Sequence, residues 1–176
     1  MALIERSWVM EALSRYERPL LRYATSLAGA DQAPDIVQEA FLELCKQDPL
    51  RLEGRVGPWL FVVCRNKALD TRRRSTRMKT TTGSDAVQDD RAGPEEALER
   101  KQTMARLGRL LEGLDDRQRE VVRLRFGGGL SYKEIAEVTE LTVTNVGFIL
   151  HKALEHVRHR LAQAPAAQPQ TARSMS

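Results

Sequence analysis

The chain has 176 residues, enough for one ordinary domain or two small ones. Its 28 Lys+Arg against 24 Asp+Glu give a net charge of +4, and 41% apolar with 30% charged residues fits a soluble, charge-rich protein. Aromatics at 5% argue against a β-sandwich or barrel, and no apolar run approaches the roughly 18 residues a membrane span needs.

The first segment, MALIERSWVMEALSRYERP, carries Glu5, Glu11 and Glu17 and no uninterrupted apolar core, so it does not read as a signal peptide. Helical spacing then runs through most of the chain. Val9, Leu13, Tyr16, Leu20, Tyr23 and Leu27 recur every three or four residues, and Gly29 follows as a stop. A second helix is expected over about Pro34 to Lys46, with Ile36, Val37, Ala40, Phe41 and Leu44 on its apolar side and Asp48-Pro49 as its breaker. The loop RLEGRVGP leads to a third helix that starts at Trp59 and runs through Leu69 into a basic block. Residues 75–93 carry almost no apolar side chain and no period, which reads as a linker. Periodicity resumes after Pro94 with Leu98, Met104, Leu107, Leu110, Leu111 and Leu114, continues from Arg117 to Phe126, and pauses at Gly127-Gly128-Gly129. Two further helices are expected at about Tyr132–Val138 and Val143–Leu161, followed by a Pro/Ala/Gln/Ser-rich tail. The expected fold class is therefore all-α. Two small helical domains, residues 1–78 and 94–163, are joined by a flexible linker at 79–93 and followed by a disordered tail at 164–176.

Charge is segregated along this plan. Asp31, Asp35, Glu39 and Glu43 stand in a stretch without a base, at four-residue spacing that places them on one helix face. Such a stripe repels itself by a few tenths of a kcal/mol per pair; a basic protein partner would relieve it, and a solvated acidic face is the plainer alternative. From Arg65 to Lys79 there are seven bases against one acid, Asp70. Bases beside Trp59 and Phe61 suit single-stranded or distorted nucleic acid, where charges neutralise phosphates and rings accept unstacked bases. Phe61 fits the core better, while Trp59, beside a Gly-Pro loop, fits either place.

The segment LSYKEIAEVTELTVTNVGFILHKALEHVRHRL reads as helix, tight turn and longer helix. Ser131 caps the first helix with Glu134 three residues on. Val146, Leu150, Ala153, Leu154, Val157 and Leu161 form one buried stripe, leaving Thr144, Asn145, Phe148, His151 and Lys152 clear of it. This is the layout of a helix-turn-helix, whose second helix enters the major groove; an αα-hairpin that merely packs is the alternative.

Enzyme readings have little support. Gly127-Gly128-Gly129 lacks the following Lys-Ser/Thr of a phosphate loop. Asp31 and Asp35 have neither a neighbouring His nor a third acid with which to hold a catalytic metal. His151, His156 and His159 read as a cationic cluster near a helix C-terminus, and Cys45 and Cys64 as small hydrophobes in apolar faces. No catalytic residue, metal or cofactor is expected.

Taken together, the chain resembles the extracytoplasmic-function (ECF) group of bacterial RNA polymerase sigma factors. DIVQEAFLEL (35–44) is similar to that family's region 2.2, and WLFVVCRNKALDTRRR (59–74) to its regions 2.3 and 2.4. LDDRQREVVRLRFGGGLSYKEIAEV (114–138) with TVTNVGFILHKALEHVR (142–158) resembles region 4. The resemblance implies an alternative sigma factor that binds core RNA polymerase, recognises −35 and −10 promoter elements and promotes melting.

By the same resemblance, Asp35, Gln38, Glu39, Phe41 and Leu42 would dock on the β′ clamp helices. Trp59, Arg65, Asn66, Lys67, Arg72, Arg73 and Arg74 would engage the −10 element. Ser131, Tyr132, Thr142, Thr144, Asn145, Phe148, His151 and Lys152 would meet the −35 element, with the same domain leaning on the β flap. Implied partners are core polymerase, promoter DNA and an anti-sigma factor, in the cytoplasm and without membrane contact. A linker of about 15 residues spans roughly 50 Å, and elements some 16–18 base pairs apart lie roughly 54–61 Å apart, so tethered domains suit the task. A helix-turn-helix regulator that binds duplex DNA without polymerase is the competing reading.

Two departures from the family pattern stand out. Glu140 occupies the turn position where relatives often have Gly, and a positive φ there would cost about 1 kcal/mol. Gly147-Phe148-Ile149 replaces a Lys-Ser-Arg-like triplet, which removes the usual arginine-to-guanine contact. Readout is then expected to fall on Asn145 toward adenine, Phe148 toward a thymine methyl, and Thr144.

Overall fold

The computed structural model describes residues 2–76, 103, 105 and 107–163. The expected linker at 79–93, the expected tail from residue 164, and Leu98 and Met104 lie outside them. Every regular element among the described residues is helical. Helix α1 spans Ala2–Ala28, α2 Ala33–Leu44, a short 3-10 turn Pro49–Leu52, and α3 Val56–Thr76. After helical residues at 107–111, α4 spans Asp116–Val122 and widens into a π turn at Arg123–Gly127. Helices α5 (Tyr132–Thr139) and α6 (Val143–Gln163) complete the described residues.

The first unit packs α1, α2 and α3 against one another. In α2 the buried positions Ala33, Ile36, Val37, Ala40, Phe41 and Leu44 repeat every three or four residues, so one side faces α1 and α3 while Asp35, Gln38, Glu39 and Leu42 face solvent. Pro34 sits in the first turn, where its missing N–H has no helical acceptor to lose. Helix α3 begins three residues earlier than the spacing suggested. Val56-Gly57-Pro58 form its first turn rather than a loop, because the first N–H groups of a helix are unpaired and tolerate proline there. Gly57 permits the approach of α1: a Cβ there would lie 2.8 Å from the Tyr16 ring.

The second unit is the helix pair α5–α6 clasped by α4 and the π turn. Asp115 and Gln118 form a capping box at α4, and Ser131 and Glu134 form another at α5, each with both reciprocal bonds made. The first of these was equally open to reading from LDDRQ. At the turn between α5 and α6, Glu140 adopts φ +59°, alone with positive φ among the described non-glycine residues. The Glu140 and Leu141 N–H groups both point to the Ala136 carbonyl and close the end of α5.

Cys45 and Leu161 depart from their expected places. Cys64 is fully buried, as read, but Cys45 caps α2 on its solvent side and is exposed. Leu161, expected in the buried stripe of α6, is 46% exposed, because the stripe outruns the helix it packs on; Val146, Ile149, Leu150 and Ala153 carry the burial. Phe41, read both on the apolar side of α2 and among the docking residues, is 8% exposed and lies in the core.

The two helical units also touch. One continuous buried cluster runs from Leu20, Leu44 and Phe61 in the first unit to Val121, Leu124, Ile135 and Val146 in the second.

Candidate nucleic-acid interface

On α6, Thr144, Phe148, His151 and Lys152 follow one another at helical spacing and are all exposed, Phe148 at 61%. Val146, Ile149, Leu150 and Ala153 occupy the opposite side and hold the helix to α5 and α4. Thr142 starts the helix by accepting the Asn145 N–H at 3.2 Å, which leaves the half-buried Asn145 side chain at the edge of the exposed stripe. Tyr132, 41% exposed, lies alongside the first turns of α6, where Gly147 makes room: a Cβ there would stand 3.7 Å from the ring. The Arg125 guanidinium sits 5.5 Å from the Tyr132 ring centroid, and the same side chain donates to the Leu130 carbonyl at 2.9 Å. A cation stacked on an aromatic ring therefore borders the stripe. Thr144, Phe148, His151 and Lys152 thus form one exposed stripe with Tyr132 beside it, while Ser131 and Thr142 are exposed at the starts of α5 and α6 and Asn145 is half-buried.

At the far end of that stripe, Glu155 accepts from Lys152 at 2.9 Å and lies 3.3 Å from His151. Its carboxyl is held below the usual range by the hydrogen bond and charge of Lys152, with His151 adding to this. Any phosphate reaching Lys152 must compete with that carboxylate.

Helix α3 carries the second set. Asn66, Arg72, Arg73 and Arg74 are exposed, and Trp59 is half-buried against the core, between its two expected places. Phe61, as expected, is fully inside, its ring 5.4 Å from that of Tyr23. Lys67 donates to Glu39 of α2 at 2.8 Å, and Glu43 accepts from Lys46 at 2.9 Å. Part of the acid stripe is therefore compensated within the chain; Asp31 lies in the turn before α2 rather than on its face, and Asp35 is the first acid on the helix and is exposed.

Arg65 is not on the open face. Its Nε donates to Glu120 Oε1 at 2.8 Å with both side chains largely covered, and the same oxygen accepts the Tyr23 hydroxyl at 2.7 Å. Burial lowers the tendency of Arg65 to stay charged, but the hydrogen bond and charge of Glu120 more than offset it and hold its pKa above the ordinary value. Burial first, then the Glu120 charge, pushes the Tyr23 hydroxyl far above the ordinary phenol range, so it remains a donor. Glu120 had no mark in the sequence: it sits among bases in RQREVVRLR and pairs across 55 and 97 residues.

No described helix is long and apolar enough to cross a membrane. The chain matches two protein families in tandem, "Sigma-70 region 2" over residues 12–78 and "Sigma-70, region 4" over residues 104–157. It is 33% identical over 153 residues to the ECF RNA polymerase sigma factor SigL of Mycobacterium tuberculosis, covering 82% of this chain and 83% of that one. It is 27% identical over 140 residues to the ECF RNA polymerase sigma factor RpoE of Cereibacter sphaeroides, covering 76% and 74%. In fold it is similar to CnrH, solved in complex with the cytosolic domain of CnrY, with a TM-score of 0.58 at 23% identity over 89% of each chain. The tandem order of the two matched regions, on two helical units of which the second carries a helix-turn-helix, leads to one conclusion: the chain belongs to the ECF RNA polymerase sigma factors and is an alternative sigma factor for transcription initiation.

Proposed function

We propose that the exposed side of α2, with Asp35, Gln38, Glu39 and Leu42, docks on the β′ clamp helices of core RNA polymerase, while Phe41 holds that helix in place from beneath. Trp59, Asn66, Arg72, Arg73 and Arg74 engage the −10 element, the cations on phosphates and the ring on an unstacked base. The exposed stripe of α6, bordered by Ser131 and Tyr132, reads the −35 element in the major groove, with its unit against the β flap. In this reading residues 1–78 and 94–163 are the two working domains and 79–93 the tether that lets them span a promoter. The factor breaks no bonds itself and acts in the cytoplasm beside polymerase. An anti-sigma factor is a further partner, supported by the capture of CnrH, similar in fold, with a domain of another protein.

The observation that carries this assignment is the pair of bare surfaces: an α6 stripe exposed along two turns, and an α2 whose outer side keeps Asp35, Gln38 and Leu42 in solvent. The test is capture on immobilised bacterial core polymerase, comparing the wild type with Asp35→Lys/Leu42→Lys, both exposed positions whose change leaves the core intact. Capture of the wild type and loss of the variant are expected. Equal capture of both would move the docking surface away from α2.

A further inference from the structure

From Val143 to Leu150 the reading helix α6 carries no charged side chain, and Thr144 and Asn145 are its polar residues there. The exposed positions in this span are Val143 at 49%, Thr144, and Phe148 at 61%. They lie around Gly147, which has Val143 and Thr144 one turn before it, His151 one turn after it, and Phe148 next in the chain. From the side, Tyr132 of α5 presents a ring edge whose atoms stand 3.7 and 3.9 Å from where a Cβ on Gly147 would lie. The helix thus shows a step of bare backbone between an aliphatic side chain and two aromatic rings. Cations stand at its margins, Arg125 over the Tyr132 ring and Lys152 on Glu155.

Such a surface has little to offer a guanine, whose O6 and N7 are read by a bidentate Arg or Lys, or the N4 donor of a cytosine, which suits a carboxylate. The major-groove group that an uncharged, apolar step does reward is the C5 methyl of a pyrimidine, which projects from the base edge and sheds its water when covered. Glycine adds the approach. Without a side chain at position 147 the helix backbone can come close to the base edge.

We propose that this step is a 5-methylpyrimidine site, in which Val143, Phe148 and the Tyr132 edge cover the C5 methyl of one pyrimidine over Gly147. This rests on the assignment of α6 to the −35 element and goes beyond it by naming the group that is read. In unmodified DNA the methyl belongs to thymine. A cytosine methylated at C5 presents the same group from the same ring position, so promoter choice by this factor responds to cytosine methylation within the −35 element.

The test uses holoenzyme assembled from the full chain and bacterial core polymerase. Selection from a pool of random duplexes supplies the −35 element as the probe. Each thymine of that element is then replaced singly by deoxyuridine, which removes the methyl and keeps the base pairing. A loss of about 4-fold in affinity is expected at one or two adjacent positions, the transfer value of one buried CH₂ group. At the same position a cytosine–guanine pair should regain about 4-fold when its cytosine is methylated at C5. Gly147→Ala fills the step while keeping the helix in place, since its Cβ would meet Tyr132 at an ordinary contact distance of 3.7 Å. That variant and Phe148→Ala should each erase most of the difference between thymine and deoxyuridine.

Thymine and deoxyuridine bound alike at every position, a difference unchanged in both variants, or a selected element without thymine on either strand would overturn the site. Equal binding of cytosine and 5-methylcytosine, where deoxyuridine is rejected, would overturn the response to methylation and confine the site to thymine. Failure of the holoenzyme to select any duplex would instead sink the −35 assignment on which the site rests.

Discussion

Lys67 Nζ donates to Glu39 Oε2 at 2.8 Å, so the helix assigned to the −10 element is pinned to the helix assigned to polymerase by one ion pair. With 28% and 59% of the two side chains exposed, the pair is worth about 0–1 kcal/mol. Glu39→Gln should therefore lower the unfolding free energy by less than about 1 kcal/mol in urea titration. The released Lys67 should steepen the salt dependence of single-stranded DNA binding, each added phosphate contact raising the log–log slope by about 0.7. An unchanged slope would show that Lys67 does not reach the DNA.

Glu140 carries a backbone conformation that L side chains resist, at a cost of about 1–2 kcal/mol, while glycine would lose about 0.5–1 kcal/mol of that gain to its more flexible unfolded state. Glu140→Gly should raise stability by about 0.5–1 kcal/mol. Glu140→Ala, which keeps the Cβ, should not. Chemical denaturation of the three forms checks this.

That turn also shows what the sequence made legible. The helix-turn-helix could be read, despite a non-glycine at the turn, because its signals are local: Ser131 with Glu134, and the apolar stripe that begins at Val146. The apolar face of α2, with Phe41 inside and Leu42 outside, followed from spacing alone. The Glu120 junction could not be read, because its partners lie 55 and 97 residues away and nothing near Glu120 distinguishes it from Glu112 or Glu137. Placing Cys45 in an apolar face failed for a similar reason: it falls one residue past the last core position, Leu44, where α2 ends and the phase of the helix no longer applies.

Glu155 occupies Lys152 and His151 at the end of the reading stripe. Glu155→Gln should strengthen binding to −35 duplex by about 2- to 5-fold, a small gain because the pair is exposed. The gain should shrink as salt rises, and fluorescence anisotropy at two ionic strengths would show it.

The two thiols should behave as different groups. Burial pushes Cys64 up to about 12, so below that range it stays a protonated, enclosed thiol, whereas Cys45 is open to solvent. With a thiol-specific chromogenic reagent at neutral pH, the folded protein should titrate one fast thiol, and a second only in denaturant. Two fast thiols in the folded state would contradict the packing of α3.

With no cation at Gly147, Phe148 or Ile149, base discrimination should rest on Asn145 and Phe148. Alanine at either should cost about 1–3 kcal/mol of preference at one −35 position and leave binding to other sequences largely unchanged. A panel of single base substitutions reads this directly, and an unaltered preference in both variants would remove these residues from the readout.

The most direct measurement of the central claim is run-off transcription with purified core RNA polymerase on a library of duplex templates, with and without the protein. The account predicts transcripts that depend on the protein, whose templates share two sequence elements about 16–18 base pairs apart, and that vanish with Asp35→Lys/Leu42→Lys. Protein that binds duplex DNA by itself but yields no transcript with core polymerase would contradict it.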